Sequence, residues 1–267
     1  MNTPLIKWTG SKRQIASLII SHFPKQIECY YEPFLGGGSV FLSLLKSNIS
    51  VKRFYLSDKN DDLIKIFKIV QKNPYELIFS YYEKWNLLQK DSDYFYIERE
   101  HYNKTKDPLS FYFLTRTCYN GTIRYNKKGE FNTSHHFGRT GMEPSRVEKI
   151  INYYSSLMYK KDIQFVNSSF ELINPTNNLD VIYLDPPYTN TPNLYFGNIS
   201  LNLLLDFIKN LKCSWFMNLN CVNKTDNEEV IDLQYTNKKM LNSGCSSFSR
   251  IKKKIVDVNE YFYYKLV

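Results

Sequence analysis

Short apolar runs alternate along the chain with stretches that place an apolar residue every three or four positions. The runs at 29–31, 54–56, 163–166, 181–184 and 214–219 predict buried strands. Helical spacing predicts helices over 14–22, from Ser39 onward, and over 61–72, 144–159 and 201–211. Strands over 256–267 would close the sheet. Such alternation implies an α/β fold with a mainly parallel sheet. The pattern changes between residues 73 and 160. Helices are expected there over 75–89, 94–104 and 108–117, the last with Pro108 in its first turn. Two short strands, 123–125 and 130–132, then flank the turn Asn126-Lys127-Lys128-Gly129. The expected organisation is a discontinuous α/β domain, residues 1–60 and 146–267, around a mostly helical insert, 61–145, that carries a β-hairpin.

Composition narrows the picture. The 267 residues are 43% apolar, enough for one sizeable core with an insert. No apolar run is long enough to span a bilayer, and Lys7, Lys12 and Arg13 interrupt any secretory pattern. The five cysteines are scattered with no C-x-x-C pair, so neither a disulfide framework nor a zinc site is expected. Reduced thiols fit a cytosolic protein. The net charge is +9, with 35 basic against 26 acidic residues, which favours a polyanionic partner. Aromatic content is 16%, and basic residues interleaved with aromatics suit a nucleic-acid surface. His135 and His136 are neighbours on an extended segment and point apart, so no metal is expected.

Three stretches carry candidate chemistry. Asp185-Pro186-Pro187-Tyr188 follows the strand at 181–184. Neither proline donates to a sheet, so a rigid turn should present Asp185 at the strand's carboxyl end. Ligands bind at that end in open α/β sheets. Glu32-Pro33-Phe34-Leu35-Gly36-Gly37-Gly38 forms a strand-to-helix turn where glycines allow backbone to approach a ligand. It matches neither G-x-G-x-x-G nor a P-loop. Asp58 ends the next strand, where an acid binds ribose hydroxyls or caps the following helix. Ser11 is the expected N-cap of the first helix.

The order K-W-x-G-x-K, E-P-F-x-G-G-G-S-V-F, a strand ending in Asp, then D-P-P-Y resembles the Dam-like, D12 class adenine-N6 DNA methyltransferases of the alpha type. The resemblance spans nearly the whole chain. It implies a Rossmann-like sheet that binds S-adenosylmethionine. Trp8, Lys12, Glu32, Phe34, Gly36, Gly38, Asp58 and Asp185 would then line the cofactor site. Asp185, Pro186, Pro187 and Tyr188 would be catalytic. The segment Arg116-x-x-Tyr119-Asn120-Gly121 and the hairpin after it resemble the family's target-reading insert. Lys7, Arg116, Tyr119, Asn120, Thr122, Arg124, Asn126, Ser134 and Arg139 would contact duplex DNA, with Arg124 reading a guanine-type edge. The family further implies a cytoplasmic enzyme of bacterial, phage or viral type. It admits a separate cognate restriction endonuclease as partner, and no metal or membrane. Ser169 and Phe170 fall where relatives approach the cofactor's adenine, and residues 244–250 resemble a loop that touches phosphate.

The chain departs from the family at 132–139, where N-T-S-H-H-F-G-R replaces the usual N-V-P-F-G-R, and Thr122 stands where some relatives carry a bulky aliphatic. Both positions lie in the reading hairpin, so the target sequence stays open. RNA adenine methylation, N4-cytosine methylation and a regulator with an inactive site are the competing readings. The aspartate that opens the tetrapeptide and the hairpin insert favour DNA adenine.

Overall fold

The computed structural model describes residues 3–8, 10–136, 138, 141–187, 200–220, 237–245 and 257–267. Tyr188, Arg139 and residues 246–250 lie outside the described residues.

Five parallel strands form the centre of the sheet: β1 (Gln26–Glu32), β2 (Ser50–Asp58), β3 (Asp162–Asn167), β4 (Val181–Leu184) and β5 (Ser214–Asn220). β6 (Asn237–Cys245) and β7 (Asp257–Lys265) complete it, and β7 runs antiparallel to both β5 and β6. The order is β3-β2-β1-β4-β5-β7-β6, which is Rossmann-like. The order reverses between β1 and β4, so the two strands diverge into a crevice at their carboxyl ends. Glu32 ends β1, and Asp185 directly follows β4. β4 is buried at all four positions, as a run of V-I-Y-L in a parallel sheet must be.

The described α-helices are α1 (Ala16–Ile20), α2 (Ser39–Leu45), α3 (Asp61–Lys72), α4 (Pro74–Lys90), α5 (Tyr94–Thr105), α6 (Pro108–Thr117), α7 (Pro144–Met158) and α8 (Leu201–Lys209). α3 buries Leu63, Ile64, Phe67 and Val70, carries acids in its first turn and Lys72 in its last, and is capped by Asn60. It packs on β2 and β3 as well as on α4, α6 and α7. A division after residue 60 therefore separates β2 from a helix that packs on β2. One apolar cluster runs from Ile19 and Tyr30 through Phe67 to Phe111 and Phe131, so sheet and insert share a core.

Three expectations change. α1 covers five residues, because Ser21 Oγ donates to the Leu18 carbonyl at 2.7 Å and His22 Nδ1 lies 2.8 Å from it, ending the helix early. Ser11 is not its cap; its hydroxyl lies 2.6 Å from that of Ser39, at the start of α2. The hairpin holds a single bridge, Tyr125 to Phe131, in place of two strands. Asn132 N donating to Arg124 O and Asn126 N to Glu130 O extend the pairing on either side. β6 had no signal in the chain. Its Met240 is 64% exposed beside a buried Leu241, so pairing with β7 defines it more than burial does.

Candidate active site

Strand periodicity builds the site. Alternate residues of a strand share a face. Tyr30 and Glu32 on β1, Tyr183 on β4 and Asp185 just beyond it, Asn218 on β5 and Glu260 on β7 form one polar row at the carboxyl edge of the parallel strands. β7 contributes because it is antiparallel: its early residues pair with the last residues of β5, with Glu260 opposite Asn220.

Lys12 joins the row from the N-terminal segment. Its ammonium lies 2.8 Å from Asp185 Oδ1 and 3.4 Å from Glu260 Oε1, and it donates to the Gly10 carbonyl at 3.1 Å. Asn218 Nδ2 donates to Glu260 Oε2 at 3.1 Å, and the Tyr183 hydroxyl donates to Asn218 Oδ1 at 3.0 Å. Lys12 and Glu260 are buried, whereas the Asp185 side chain keeps 19% exposure. Burial raises the Asp185 carboxyl to about 6; Lys12 pulls it down and Glu260 pushes it up. Glu32 accepts from the Tyr30 hydroxyl at 2.8 Å, and burial raises it to about 8, with Asp185 and Asp58 adding to the rise.

The glycine turn is shaped by what surrounds it. Gly36 and Gly38 have φ of 47° and 66°, which favours glycine. A Cβ on Gly36 would meet Trp8 Cδ1 at 2.8 Å, and one on Gly38 would meet Phe67 Cζ at 2.9 Å. Trp8 therefore lies against the loop, partly buried on the core. Asp58 does not cap α3; Asn60 does, by accepting from the backbone of Asp62 and Leu63. Asp58 instead accepts from Gly36 N and Asn60 N, both at 2.9 Å, and so pins the glycine turn to the end of β2. Burial lifts its carboxyl to about 6 despite both bonds. Phe34 is half-buried with its ring 5.5 Å from that of Phe170. Phe170 is buried in the core of the opposite face, and Ser169 bonds Glu171.

The hairpin presents another set. Arg124 is exposed, and Asn132 steers it: Arg124 Nε donates to Asn132 Oδ1 at 2.9 Å and Nη2 to Asn132 O at 3.4 Å. Tyr119 is half exposed and stacks on His136 with ring centres 4.9 Å apart. Asn120 holds a left-handed φ of 54°. Ser134 is exposed, and its carbonyl accepts from Tyr119 N. The Thr122 carbonyl accepts from Thr133 Oγ1 at 2.8 Å. Asn126 builds the turn: its Oδ1 accepts from Lys128 N and Glu130 N, and its Nδ2 donates to Glu130. Arg116 donates to the carbonyls of Pro4 and Leu5, so it clamps the N-terminal segment from the insert. Lys7 is exposed on the same segment, with its methylenes against Gly121, where a Cβ would clash.

The structure thus brings Lys12, Glu32, Asp58, Asp185 and the glycine turn to one end of the sheet. Lys7 lies against Gly121, which follows Tyr119 and Asn120 in the chain, where insert and N-terminal segment touch. Tyr183, Asn218, Glu260, Asn132 and Asn60 were not among the sequence candidates. The signal for Glu260 was present: it alternates with Phe262 and Tyr264, so an acid falls on a core-facing position. Among the described residues, no three His, Cys, Asp or Glu side chains gather as a metal site. No described helix is long and apolar enough to cross a membrane.

Comparison with known proteins places these features in a family. The pattern of the D12 class N6 adenine-specific DNA methyltransferases matches residues 8–201. The chain is 34% identical over 203 residues to the Type II methyltransferase M.MjaIII of Methanocaldococcus jannaschii, a match spanning 69% of this chain and 68% of that one. It is 34% identical over 191 residues to the DNA adenine methylase of Escherichia coli strain K12, spanning 70% of this chain and 65% of that enzyme.

Proposed function

Because the chain belongs to the D12 class N6 adenine-specific DNA methyltransferase family, we propose that it moves a methyl group from S-adenosylmethionine to N6 of an adenine flipped out of a short duplex recognition sequence. The observation that carries this reading is Asp185 at the switch point of the sheet, one oxygen held by Lys12 and the side chain still partly open.

The residues fit the cofactor by charge and by shape. Glu32, Asp58 and Asp185 bring three carboxylates to the strand ends, and the raised Glu32 and Asp58 groups measure the cost of burying them without a full complement of positive charge. A sulfonium and an ammonium would supply that complement. Trp8, Lys12, Phe34 and the turn at Gly36 and Gly38 bound the space beside them. Asp58, already fixed by two backbone donors, has further lone pairs for ribose hydroxyls. When bound, S-adenosylmethionine supplies an electrophilic methyl group.

A duplex hides N6, so the base must leave the stack. N6 is a poor nucleophile because its lone pair is conjugated with the ring. Lys12 occupies Oδ1 of Asp185, which leaves Oδ2 to accept one N6 hydrogen. The Pro186 carbonyl accepts the other. With both hydrogens held, the lone pair faces the methyl group, and positioning carries much of the rate. Pro187 stiffens the turn, and Tyr188 stacks on the extruded ring, worth about 1–3 kcal/mol. On the reading side, Arg124 contacts a guanine-type edge, Tyr119 and Asn120 support the gap, and Lys7, Thr122, Ser134 and Arg139 contact the duplex. In this reading Arg116 and Asn126 act through the backbone they hold. The enzyme would work in the cytoplasm, with any cognate restriction endonuclease acting separately.

Transfer of labelled methyl to duplex DNA, ribosomal RNA or neither tests the reading, with wild type beside Asp185→Ala. Label on duplex adenine that vanishes in a folded Asp185→Ala is the expected result. Near-wild-type turnover by the variant, or label on RNA alone, would overturn it.

A further inference from the structure

The polar row extends past Asp185 into strands beyond residue 201, outside the matched part of the family. Glu260 and Asn218 lie there. Both are buried, at 3% and 0% exposure, as are Tyr183 at 1% and Lys12 at 3%. Burying a carboxylate is costly unless it is paired and hydrogen-bonded. Glu260 meets both conditions: Oε1 lies 3.4 Å from the Lys12 ammonium and Oε2 accepts from Asn218, which Tyr183 orients in turn. Two carboxylates thus share one ammonium, with Asp185 the nearer at 2.8 Å.

We propose that Glu260 is a positioning residue for methyl transfer: by sharing Lys12 with Asp185, it fixes Asp185 Oδ1 in place while leaving that carboxylate a strong acceptor for the N6 hydrogens. The inference rests on the role given to Asp185 above. An isolated Lys12–Asp185 pair would also fix the carboxylate, but it would weaken it as an acceptor. A second carboxylate on the same ammonium offsets part of that effect. The chemistry gains from the surplus negative charge. As the N6 lone pair forms the new N–C bond, the C–S bond breaks with its electron pair left on sulfur. Positive charge arrives on N6, and its surplus proton leaves through Asp185 to solvent. Two carboxyl groups share a single ammonium beside that nitrogen.

The groups facing Asp185 are Lys12 from the N-terminal segment, Glu260 from β7, Glu32 from β1 and the Tyr183 hydroxyl from β4. Near neutral pH, Glu32 is largely protonated and Tyr183 fully so, since burial raises both. Lys12 pulls the Asp185 carboxyl down and Glu260 pushes it up, so these two neighbours shape the acid limb that Asp185 sets.

The test compares Glu260→Gln and Glu260→Asp with wild type, on S-adenosylmethionine and a duplex that wild type methylates. For Glu260→Gln, kcat should fall about tenfold with KM for both substrates within about twofold, and the acid limb should move down by about half a pH unit or more. Glu260→Asp keeps the charge but withdraws it by one methylene, so its kcat and limb should fall between the other two. That variant carries the test if Glu260→Gln does not fold. A wild-type limb in a folded variant, whatever its rate, would show that Glu260 only supports the sheet. Wild-type transfer abolished by Asp185→Ala upholds the underlying role separately, and a wild type inert on duplex DNA would remove both.

Discussion

The polar row at the strand ends and the hairpin of the insert both present charged side chains, but they hold them in opposite ways. At the strand ends, Lys12, Glu32 and Glu260 are buried and bonded to one another, to tyrosine or amide groups, or to backbone. On the hairpin, Arg124 and Ser134 face solvent, and the fixed parts are the turn and the amide of Asn132 that aims the guanidinium. The difference suits the two tasks proposed for these regions. Methyl transfer needs acceptors at set positions where water does not compete, and burial supplies that at the cost of raised carboxyl groups. Reading a base edge needs groups that reach outward and can meet more than one partner. The segment from Pro4 to Lys12 joins the two regions. Arg116 grips its start, Lys7 crosses Gly121, Trp8 covers Gly36, and Lys12 ends at Asp185.

Substitutions should separate the regions by what they change. The largest effect is expected for Asp185→Ala: a rate loss of about a thousandfold with unchanged DNA binding, since only the acceptor is removed. A binding titration beside single-turnover rates checks it. Gly36→Ala should raise KM for S-adenosylmethionine by about tenfold or more, because φ of 47° and the Trp8 ring both oppose a Cβ. Target choice should be unaltered, and steady-state kinetics on two duplexes measures both. Arg124→Ala should do the reverse, costing about 1–3 kcal/mol at one base pair while turnover on a saturating duplex holds. An unchanged sequence profile would reduce Arg124 to a backbone contact. A smaller effect concerns stability. Burial raises Glu32 from an ordinary 4.5 to about 8. The native state then binds that proton more tightly than the unfolded chain, so Glu32 lowers stability as pH rises from about 4.5 to about 8. Glu32→Gln should flatten the fall in Tm over that window, a change of a few degrees by thermal melts. The smallest is Asn60→Ala, expected to cost about 1 kcal/mol through loss of the α3 cap.

Much of this was legible in the chain. The V-I-Y-L run, the glycine turn and the spacing of Asp58 place the pocket's ends without coordinates, because buried strands and tight turns carry strong local signals. The helices of the insert follow equally from their spacing. What was hidden depends on contacts distant in sequence. Glu260 meets Lys12 across 248 positions (260 minus 12) only because β7 turns back along β5. Arg116 reads as a DNA contact until the Pro4 and Leu5 carbonyls are seen against it. Ser11 looked like a cap, and capping was one of two readings of Asp58; a facing Ser39 and a neighbouring Asn60 decide against both caps. β6 lacks alternation because its place at the sheet edge demands little burial.

The central claim is that the buried row fixes the reaction while the exposed hairpin fixes the target. It is tested most directly by methylating a random duplex library with the purified protein and S-adenosylmethionine, then mapping every modified base. The expected result is N6-methyladenine confined to one short sequence context, with Arg124→Ala relaxing a single position of that context and leaving the modified atom unchanged. Methylated cytosine, adenine modified in every context, or no modification at all would contradict it.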